Sequence, residues 1–186
     1  MIAKFIIFLL VIIPIHIYAT ENIKEFQSNK YCNVIKDNLF INKQNSKYSY
    51  GYNLCFNKNK KIKNVEISVD FKPISGNIDQ GSGIAWRIQN EYNYYVARFN
   101  PLENNFRLYY VKNGNRVQLK SAKIKLSKNY NTMKITHQGN NIKAYINDRL
   151  LLNYNDRMFK NSGYVGVWSK ADASTLFTKI LIKEIN

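Results

Sequence analysis

The stretch Gly83–Asn100, which reads GIAWRIQNEYNYYVARFN, carries the pattern that decides the fold. Side chains alternate in character on both sides of Asn90-Glu91, which is typical of two half-buried strands joined as a hairpin. Pairing Trp86 with Tyr95 places the apolar side chains of both strands on one face, because successive side chains point to opposite sides of a sheet. The predicted inner set is Ile84, Trp86, Ile88, Tyr95, Ala97 and Phe99, followed on the next strand by Phe106, Leu108 and Tyr110.

The same two-residue rhythm continues through the chain, and no long segment has the spacing of an amphipathic helix. Asn113-Gly114 and Asn147-Asp148 each separate two alternating runs, as the central residues of tight hairpin turns do. The predicted strands are Ser49–Phe56, Val65–Lys72, Gly83–Gln89, Tyr94–Phe99, Asn105–Val111, Arg116–Lys120, Thr132–Gln138, Ile142–Ile146, Leu150–Tyr154, Gly163–Trp168 and Thr175–Lys183. Regular short strands predict an all-β protein, a two-sheet antiparallel sandwich that forms a single domain over residues 20–186.

The first 19 residues have the features of an export signal. A short basic start ends at Lys4, and Phe5–Tyr18 is an apolar run that Pro14 interrupts. This run is shorter than the roughly 20 residues that a membrane helix needs. We therefore predict a signal peptide over residues 1–19, cleavage after Ala19, no stable membrane span afterwards, and a periplasmic or extracellular location. The alternative is an anchor that is not cleaved.

Cys32 and Cys55 are the two cysteines of the chain. In an oxidising compartment such a pair forms one disulfide, which would stabilise the fold by roughly 3 kcal/mol in the loop-closure account. Two buried free thiols are the alternative.

The sequence predicts no metal and no cofactor. The mature part has a single histidine, His137, and no Cys-x-x-Cys, which excludes an ordinary zinc site. Calcium is the alternative, because it binds through aspartate and backbone oxygens. Here the isolated turn carboxylates, which form no recognisable loop pattern, are Asp148, Asp156 and Asp172.

The formal net charge is +16 and the sequence pI is about 9.8, so the protein attracts anions such as nucleic acid, acidic glycans and lipid headgroups. The lysines are scattered through turns, and Lys, Asn, Ile and Tyr are abundant together, as an A/T-rich coding bias would also produce. Because no nucleic-acid-binding motif is present, we do not expect a nucleic-acid partner. A basic polyanion-binding protein remains an alternative function.

Three motifs resemble those of a known family: GIAWRIQ at 83–89, NYYVARFNPLENN at 93–105 and GVWSKAD at 166–172. They are similar to secreted bacterial concanavalin A-like lectin and glucanase domains, akin to the 3-keto-disaccharide hydrolase domains. The resemblance implies a concanavalin A-like jelly-roll sandwich and a carbohydrate context. It does not identify a reaction, since such sandwiches host many activities.

The alternation of side chains places a set of arginines and tyrosines on the outer face of the hairpin. This set is suited to a sugar ligand, because aromatic rings pack on sugar C–H faces and guanidinium groups donate hydrogen bonds to hydroxyls or carboxylates. The expected ligand-binding residues are Arg87, Tyr94, Arg98, Arg107 and Tyr109, with Trp168, Lys170 and Asp172 on the rim. The alternative is a face covered by loops, whose arginines pair with Glu91, Glu103 or Asp172. The expected ligand is a carbohydrate, and an acidic glycan fits the arginines.

Catalytic residues are unknown from the sequence. The Glu-x-Asp-x-x-Glu run of laminarinase-type relatives is absent. Glu66 and Asp70 share a strand face but are about 13 Å apart, too far for a glycosidase pair. The remaining candidates are Asp172, Glu103 and Asp70. The sequence therefore favours an exported carbohydrate-binding protein, with a glycoside hydrolase or lyase of the 3-keto-disaccharide hydrolase type as an alternative; it does not predict the oligomeric state.

Overall fold

The computed structural model describes residues 19–20, 26–28, 32–35, 38–41 and 52–186, and its regular elements are all strands. They are β1 (Ala19–Thr20), β2 (Phe26–Ser28), β3 (Cys32–Ile35), β4 (Asn38–Ile41), β5 (Tyr52–Ile62), β6 (Val65–Ser75), β7 (Ser82–Asn90), β8 (Asn93–Asn100), β9 (Asn105–Lys112), β10 (Asn115–Lys123), β11 (Asn131–Gln138), β12 (Asn141–Ile146), β13 (Arg149–Asn155), β14 (Gly163–Lys170) and β15 (Ser174–Glu184). The all-β prediction is confirmed.

The strands form two antiparallel sheets that pack as a sandwich. Sheet 1 has the order β13-β12-β11-β6-β15-β4-β3, with β1 paired to β15. Sheet 2 has the order β10-β9-β8-β7-β14-β5-β2. In sheet 2, β14 lies between β7 and β5, and in sheet 1, β15 lies between β6 and β4. Each sheet therefore pairs strands that are far apart in the sequence, as in a jelly roll.

The main hydrophobic core lies between the two sheets. Trp86 pairs with Tyr95 in the β7–β8 ladder, as the hairpin parity predicts, and their rings stack with centroids 5.6 Å apart. The Trp86 indole N–H donates to Nδ1 of His137 at 2.8 Å. Burial, with a smaller contribution from Arg87, lowers the pKa of His137 to about 3, so this histidine is an uncharged hydrogen-bond acceptor within the core.

A bulge in β7 turns two side chains to the sheet faces opposite to those that the alternation predicts. Between the Trp86–Tyr95 and Asn90–Asn93 pairs, β7 has the three residues 87–89 and β8 has only Tyr94. Arg87 takes up the excess with a φ of 46°. A Cβ on Gly163 would lie 2.3 Å from the Arg87 carbonyl carbon, so the neighbouring strand can approach the bulge only with glycine at that position.

The bulge corrects the sequence prediction for Arg87 and for Ile88. The Arg87 guanidinium donates to the carbonyls of Lys63, Phe159 and Gly139 at 2.8–3.0 Å, and Gly139 lies in the turn that joins β11 and β12 of sheet 1. Arg87 therefore points toward the opposite sheet rather than outward. Ile88 lies in the outer cluster instead of the main core.

The predicted turns and the predicted disulfide are confirmed. Asn113 and Gly114 both have positive φ, as do Asn147 and Asp148, which a two-residue turn of the predicted kind requires. Cys32 of β3 is bonded to Cys55 of β5 with their Cα atoms 6.1 Å apart. Since β3 belongs to sheet 1 and β5 to sheet 2, the disulfide ties the two sheets together.

The predicted signal peptide falls on residues 1–19, of which 1–18 lie outside the described residues. Within the part of the chain that the structure describes, there is no helix of the length and hydropathy that a bilayer span requires.

Candidate functional site

The outer face of sheet 2 carries a second buried cluster, separate from the main core. It consists of Leu54, Ala85, Ile88, Tyr94, Val96, Tyr109, Val111 and Trp168, with Tyr52, Phe56 and Tyr164 packed against it. In β7 and β8 nearly every residue is buried, whichever face it is on. An outer sheet face would normally be solvated, so this clustering marks the face as the candidate site.

Tyr94 and Trp168 form the floor of this face. The Trp168 indole N–H donates to the Tyr94 hydroxyl at 3.1 Å, and both side chains are buried. Burial raises the pKa of Tyr94, so its hydroxyl stays protonated. The ring of Tyr52 lies 5.3 Å from that of Trp168, which extends the aromatic surface toward β5.

Arg116 lies across the aromatic residues, and sequence analysis missed it. Its guanidinium carbon is 4.4 Å from the centroid of the Tyr109 ring, 5.7 Å from that of Tyr52 and 6.0 Å from that of Trp168. Arg116 is opposite Val111 in the β9–β10 ladder. Continuing the alternation of side chains through the Asn113-Gly114 turn into β10 would have placed Arg116 on the outer face.

A network of charges borders the aromatic cluster. Arg98 is only 1% exposed; its Nη2 lies 2.7 Å from Glu103 and 3.4 Å from Asp79. Arg107 pairs with Glu103 at 3.0 Å, and Lys170 with Asp79 at 3.1 Å. Three cations thus surround two carboxylates, and the alternative that pairs the arginines with Glu103 describes Arg98 and Arg107 correctly.

The two carboxylates of the network are held close to each other. The side-chain amide of Asn100 donates to Asp79 at 3.1 Å and to Glu103 at 3.0 Å. The hydrogen bond from Arg98 and a further one from Asn105 lower the pKa of Glu103 to about 2, although burial opposes the shift. Glu103 is therefore ionised at neutral pH and has no proton to give to a leaving group.

Asp172 holds a loop in place. Its carboxylate accepts hydrogen bonds from the backbone N–H groups of Asn77, Ile78 and Asp79 at 2.6–3.2 Å. Burial raises the pKa of Asp172, but these bonds outweigh it and the pKa is lowered overall. The loop in turn positions Asp79 against Arg98, so Asp172 acts on the site through the backbone.

Three buried polar atoms of this face lack a hydrogen-bond partner among the described residues. They are Nε of Arg98, Nη1 of Arg116 and the hydroxyl oxygen of Tyr109. Each carries an N–H or O–H group, and a buried donor without a partner costs roughly 1–3 kcal/mol. Donors in this state on a single sheet face are what a binding site for an oxygen-rich ligand would contain.

The structure brings most of the predicted site residues together. Tyr94, Arg98, Arg107, Tyr109, Trp168 and Lys170 all belong to the outer cluster of sheet 2 or to the charge network beside it. Tyr94 and Arg98 are covered by neighbouring side chains rather than exposed, which departs from the expected open surface.

Two predicted residues lie elsewhere. Arg87 points toward sheet 1, as described above. Asp70 belongs to β6 of sheet 1, where it accepts from the Thr132 hydroxyl at 2.6 Å and pairs with Lys179 at 3.2 Å. The sandwich separates Asp70 from Glu103, so the two cannot meet. The carboxylate that does approach Glu103 is Asp79, which no sequence motif marked.

A cavity of about 580 Å³ is lined in part by Lys72, Phe99, Pro101, Leu126 and Lys128. No sequence-predicted site residue lines it. Within the described ranges, no cluster of three or more His, Cys, Asp or Glu side chains is arranged to hold a metal ion.

Solved structures with the same fold include several sugar-related proteins. The carbohydrate binding module CBM66 from Bacillus subtilis is 16% identical, with a TM-score of 0.75 over 86% of this chain and 96% of the module. The Bacillus licheniformis beta-glucanase is 12% identical, with a TM-score of 0.58 over 85% of this chain and 84% of the glucanase. The Emp46p carbohydrate recognition domain is 10% identical, with a TM-score of 0.63 over 88% and 90%. At these identities the likeness concerns the fold alone.

A search by sequence among curated proteins finds no significant match. A family profile does match: residues 19–183 fit the 3-keto-alpha-glucoside-1,2-lyase-like domain. The match covers most of the chain and agrees with the resemblance that the 83–105 and 166–172 motifs indicate. The chain belongs to the family of 3-keto-alpha-glucoside-1,2-lyase-like domains.

Proposed function

We propose that this protein binds a carbohydrate on the outer face of sheet 2, and that the ligand carries carboxylate or other acidic groups. The observation that carries the proposal is the set of unpartnered buried donors on Arg98, Tyr109 and Arg116. The half-buried Arg116 covers the Tyr109 ring, so a sugar that displaces the Arg116 guanidinium would bring hydroxyl or carboxylate oxygens to these donors and remove the cost of their burial.

The surroundings of these donors favour a sugar. The rings of Tyr109 and Tyr52 lie beside the Arg116 guanidinium, which combines an apolar surface with a planar fork of donors. Arg98, Arg107 and Lys170 outnumber the carboxylates Asp79 and Glu103 that they contact. The excess of positive charge favours an acidic ligand over a neutral one.

The proposal includes export from the cytoplasm. The Cys32–Cys55 disulfide is compatible with an oxidising compartment, where a cell-wall or exported polysaccharide would be encountered. Structural neighbours that are a carbohydrate binding module and a carbohydrate recognition domain support a sugar ligand for this fold.

Binding of purified protein to a panel of cell-wall and exported polysaccharides tests the proposal. A matched pair, polygalacturonate and its methyl ester, separates charge from sugar. We expect tighter binding to the acid form, and a loss of about tenfold or more in Arg116→Ala, because a hydrogen bond to a charged group is worth roughly 1.5–3 kcal/mol. Arg149→Ala, which removes the same charge from sheet 1, is the control and should bind normally.

Two results would contradict carbohydrate binding at this face. One is the absence of binding to every polysaccharide at low salt and high protein concentration. The other is equal weakening by Arg116→Ala and Arg149→Ala, together with complete loss in moderate salt whatever the polymer. The second result would instead support the alternative of a general polyanion binder.

A second candidate function is cleavage of a 3-keto-glucoside, and the family assignment favours it. The carboxylates beside Arg98 are Asp79 and Glu103, both bonded by the Asn100 amide. An ionised carboxylate can act as a general base toward a proton next to a ketone. Release of product from a 3-keto-glucoside, abolished in Asp79→Asn and retained in Asp70→Asn on sheet 1, would support this function over simple binding.

A further inference from the structure

We infer that the binding surface of sheet 2 continues to a second subsite, a lysine–aromatic patch formed by Phe56, Lys58, Lys61 and Tyr164. The patch would take a further acidic sugar of the same chain, so the ligand is a polymer rather than a single sugar. This inference rests on the function proposed above.

The patch has the two components that an acidic sugar needs. The half-buried rings of Phe56 and Tyr164 lie 5.7 Å apart at their centroids, with an interplanar angle of 31°. The Lys58 ammonium lies 5.4 Å from the Phe56 centroid, and the Lys61 ammonium lies 5.1 Å from that of Tyr164. The rings offer stacking surface and the ammonium groups offer charge to a carboxylate or sulfate.

The patch is continuous with the first site. Phe56 and Tyr164 pack against the same outer cluster that contains Tyr94, Tyr109 and Trp168. Along β5, the half-buried Tyr52 and Phe56 are four residues apart, which is roughly 13 Å in an extended strand. A sugar beside Tyr52 and Arg116 and one on Phe56 would thus be separate units of one chain lying along β5.

The charge of the patch is available for a ligand. The end of β5 and the following turn contain four lysines within residues 57–64: Lys58, Lys60, Lys61 and Lys63. Lys60 pairs with Glu184 at 2.7 Å. For Lys58 and Lys61 no acidic partner lies within ion-pair distance among the described residues, and both are exposed.

Chain length is the property that separates this subsite from the first one. The probes are galacturonic acid and an octamer of galacturonate, measured by calorimetry in low salt. In Lys58→Ser/Lys61→Ser we expect the octamer to bind about tenfold more weakly, since exposed charges count most at low salt, while the monosaccharide binds as before. Both lysines are exposed, so the variant should fold normally.

A charge-matched control is Lys143→Ser/Arg149→Ser, which removes two cations from sheet 1 and should leave both affinities unchanged. Tyr164→Leu tests the ring without changing charge, and it should also weaken the octamer selectively. Circular dichroism and the melting temperature of each variant establish that it is folded.

The outcomes distinguish this inference from the proposed function. Octamer affinity that is unchanged in both patch variants, with Arg116→Ala still impaired, overturns the second subsite and leaves the first site in place. Equal loss in the patch variant and in the sheet 1 control also overturns it, because the effect is then one of net charge. If wild-type protein binds neither galacturonate probe, both the proposal of an acidic ligand and the proposal of a second subsite are wrong.

Discussion

The outer faces of the two sheets differ although their strands look alike in sequence. In sheet 1, the β6, β11 and β12 strands alternate between buried and half-buried residues, as expected of strands with one face on the core and one toward water. In sheet 2, β7 and β8 are buried almost throughout. Both faces of sheet 2 are therefore removed from water, although only one of them faces another sheet.

The difference shows how the protein uses its charges. On sheet 1, ion pairs such as Lys134–Asp148 and Lys179–Asp70 include side chains that are largely exposed. On sheet 2, Arg98 is buried between Asp79 and Glu103 and retains an unpartnered Nε. A surface pair contributes little to stability, whereas a buried cation with partners is costly to disturb. The charge network of sheet 2 therefore stabilises the fold only while all of its members are present. The same contacts hold the side chains of the candidate site in fixed positions.

Removal of Arg98 should lower the free energy of unfolding more than any other substitution proposed here. Arg98→Met leaves the buried Asp79 carboxylate with Lys170 as its remaining cation, so we expect a loss of about 3 kcal/mol or more in the free energy of unfolding. Urea unfolding of Arg98→Met beside Arg149→Ala measures it. A loss as small as that of the Arg149 control would mean that the network does not stabilise sheet 2.

Acid should weaken the same network by a smaller amount. The folded state holds the pKa of Glu103 at about 2, below its usual 4.5, mainly through the hydrogen bond from Arg98. The stabilisation is therefore complete above pH 4.5 and is lost as the pH falls toward 2. Glu103 is 39% exposed, so solvent reduces the effect. The fall in melting temperature between pH 5 and pH 2.5 should be steeper in wild type than in Glu103→Gln; identical slopes would contradict this prediction.

Disruption of an exposed pair on sheet 1 should give the smallest effect. Lys179 is 78% exposed and pairs with Asp70 at 3.2 Å. We expect Lys179→Ala to change the free energy of unfolding by less than about 1 kcal/mol. The residue has a φ of 48°, so Lys179→Gly is a companion variant that relieves the backbone while removing the same charge. A loss comparable to that of Arg98→Met would erase the distinction between the two faces.

The sequence predicted the strands and turns because they depend on local chemistry. The two-residue alternation identified β6–β15, and the turn residues at 113–114 and 147–148, which have positive φ in the structure, identified two hairpins. It underestimated β5, which runs to Ile62 through a lysine-rich segment that has too few apolar residues to show the alternation. The N-terminal strands β2–β4 were missed for a similar reason, since residues 20–47 are polar and irregular in pattern.

The site was predicted in part. Parity placed Tyr94, Arg98 and Tyr109 on the correct face, because no bulge interrupts β8 or the middle of β9. It failed at Arg87, where the two extra residues of β7 reverse the side chain. Asp79 was not foreseen because it lies in a loop, where side-chain direction does not follow a period.

The amino-acid sequence alone determined that the chain is a β-sandwich, which cysteines pair, and which side of the β7–β9 sheet holds arginine and tyrosine. These follow from the period of the strand and from the chemistry of neighbouring residues. Only the tertiary structure decided that the outer face of sheet 2 is buried, that Asp79 and Glu103 flank Arg98, and that Arg116 crosses Tyr109. Those contacts join residues from different strands and loops, and their geometry depends on a bulge and on how an Asp172-bound loop packs, which no local pattern specifies.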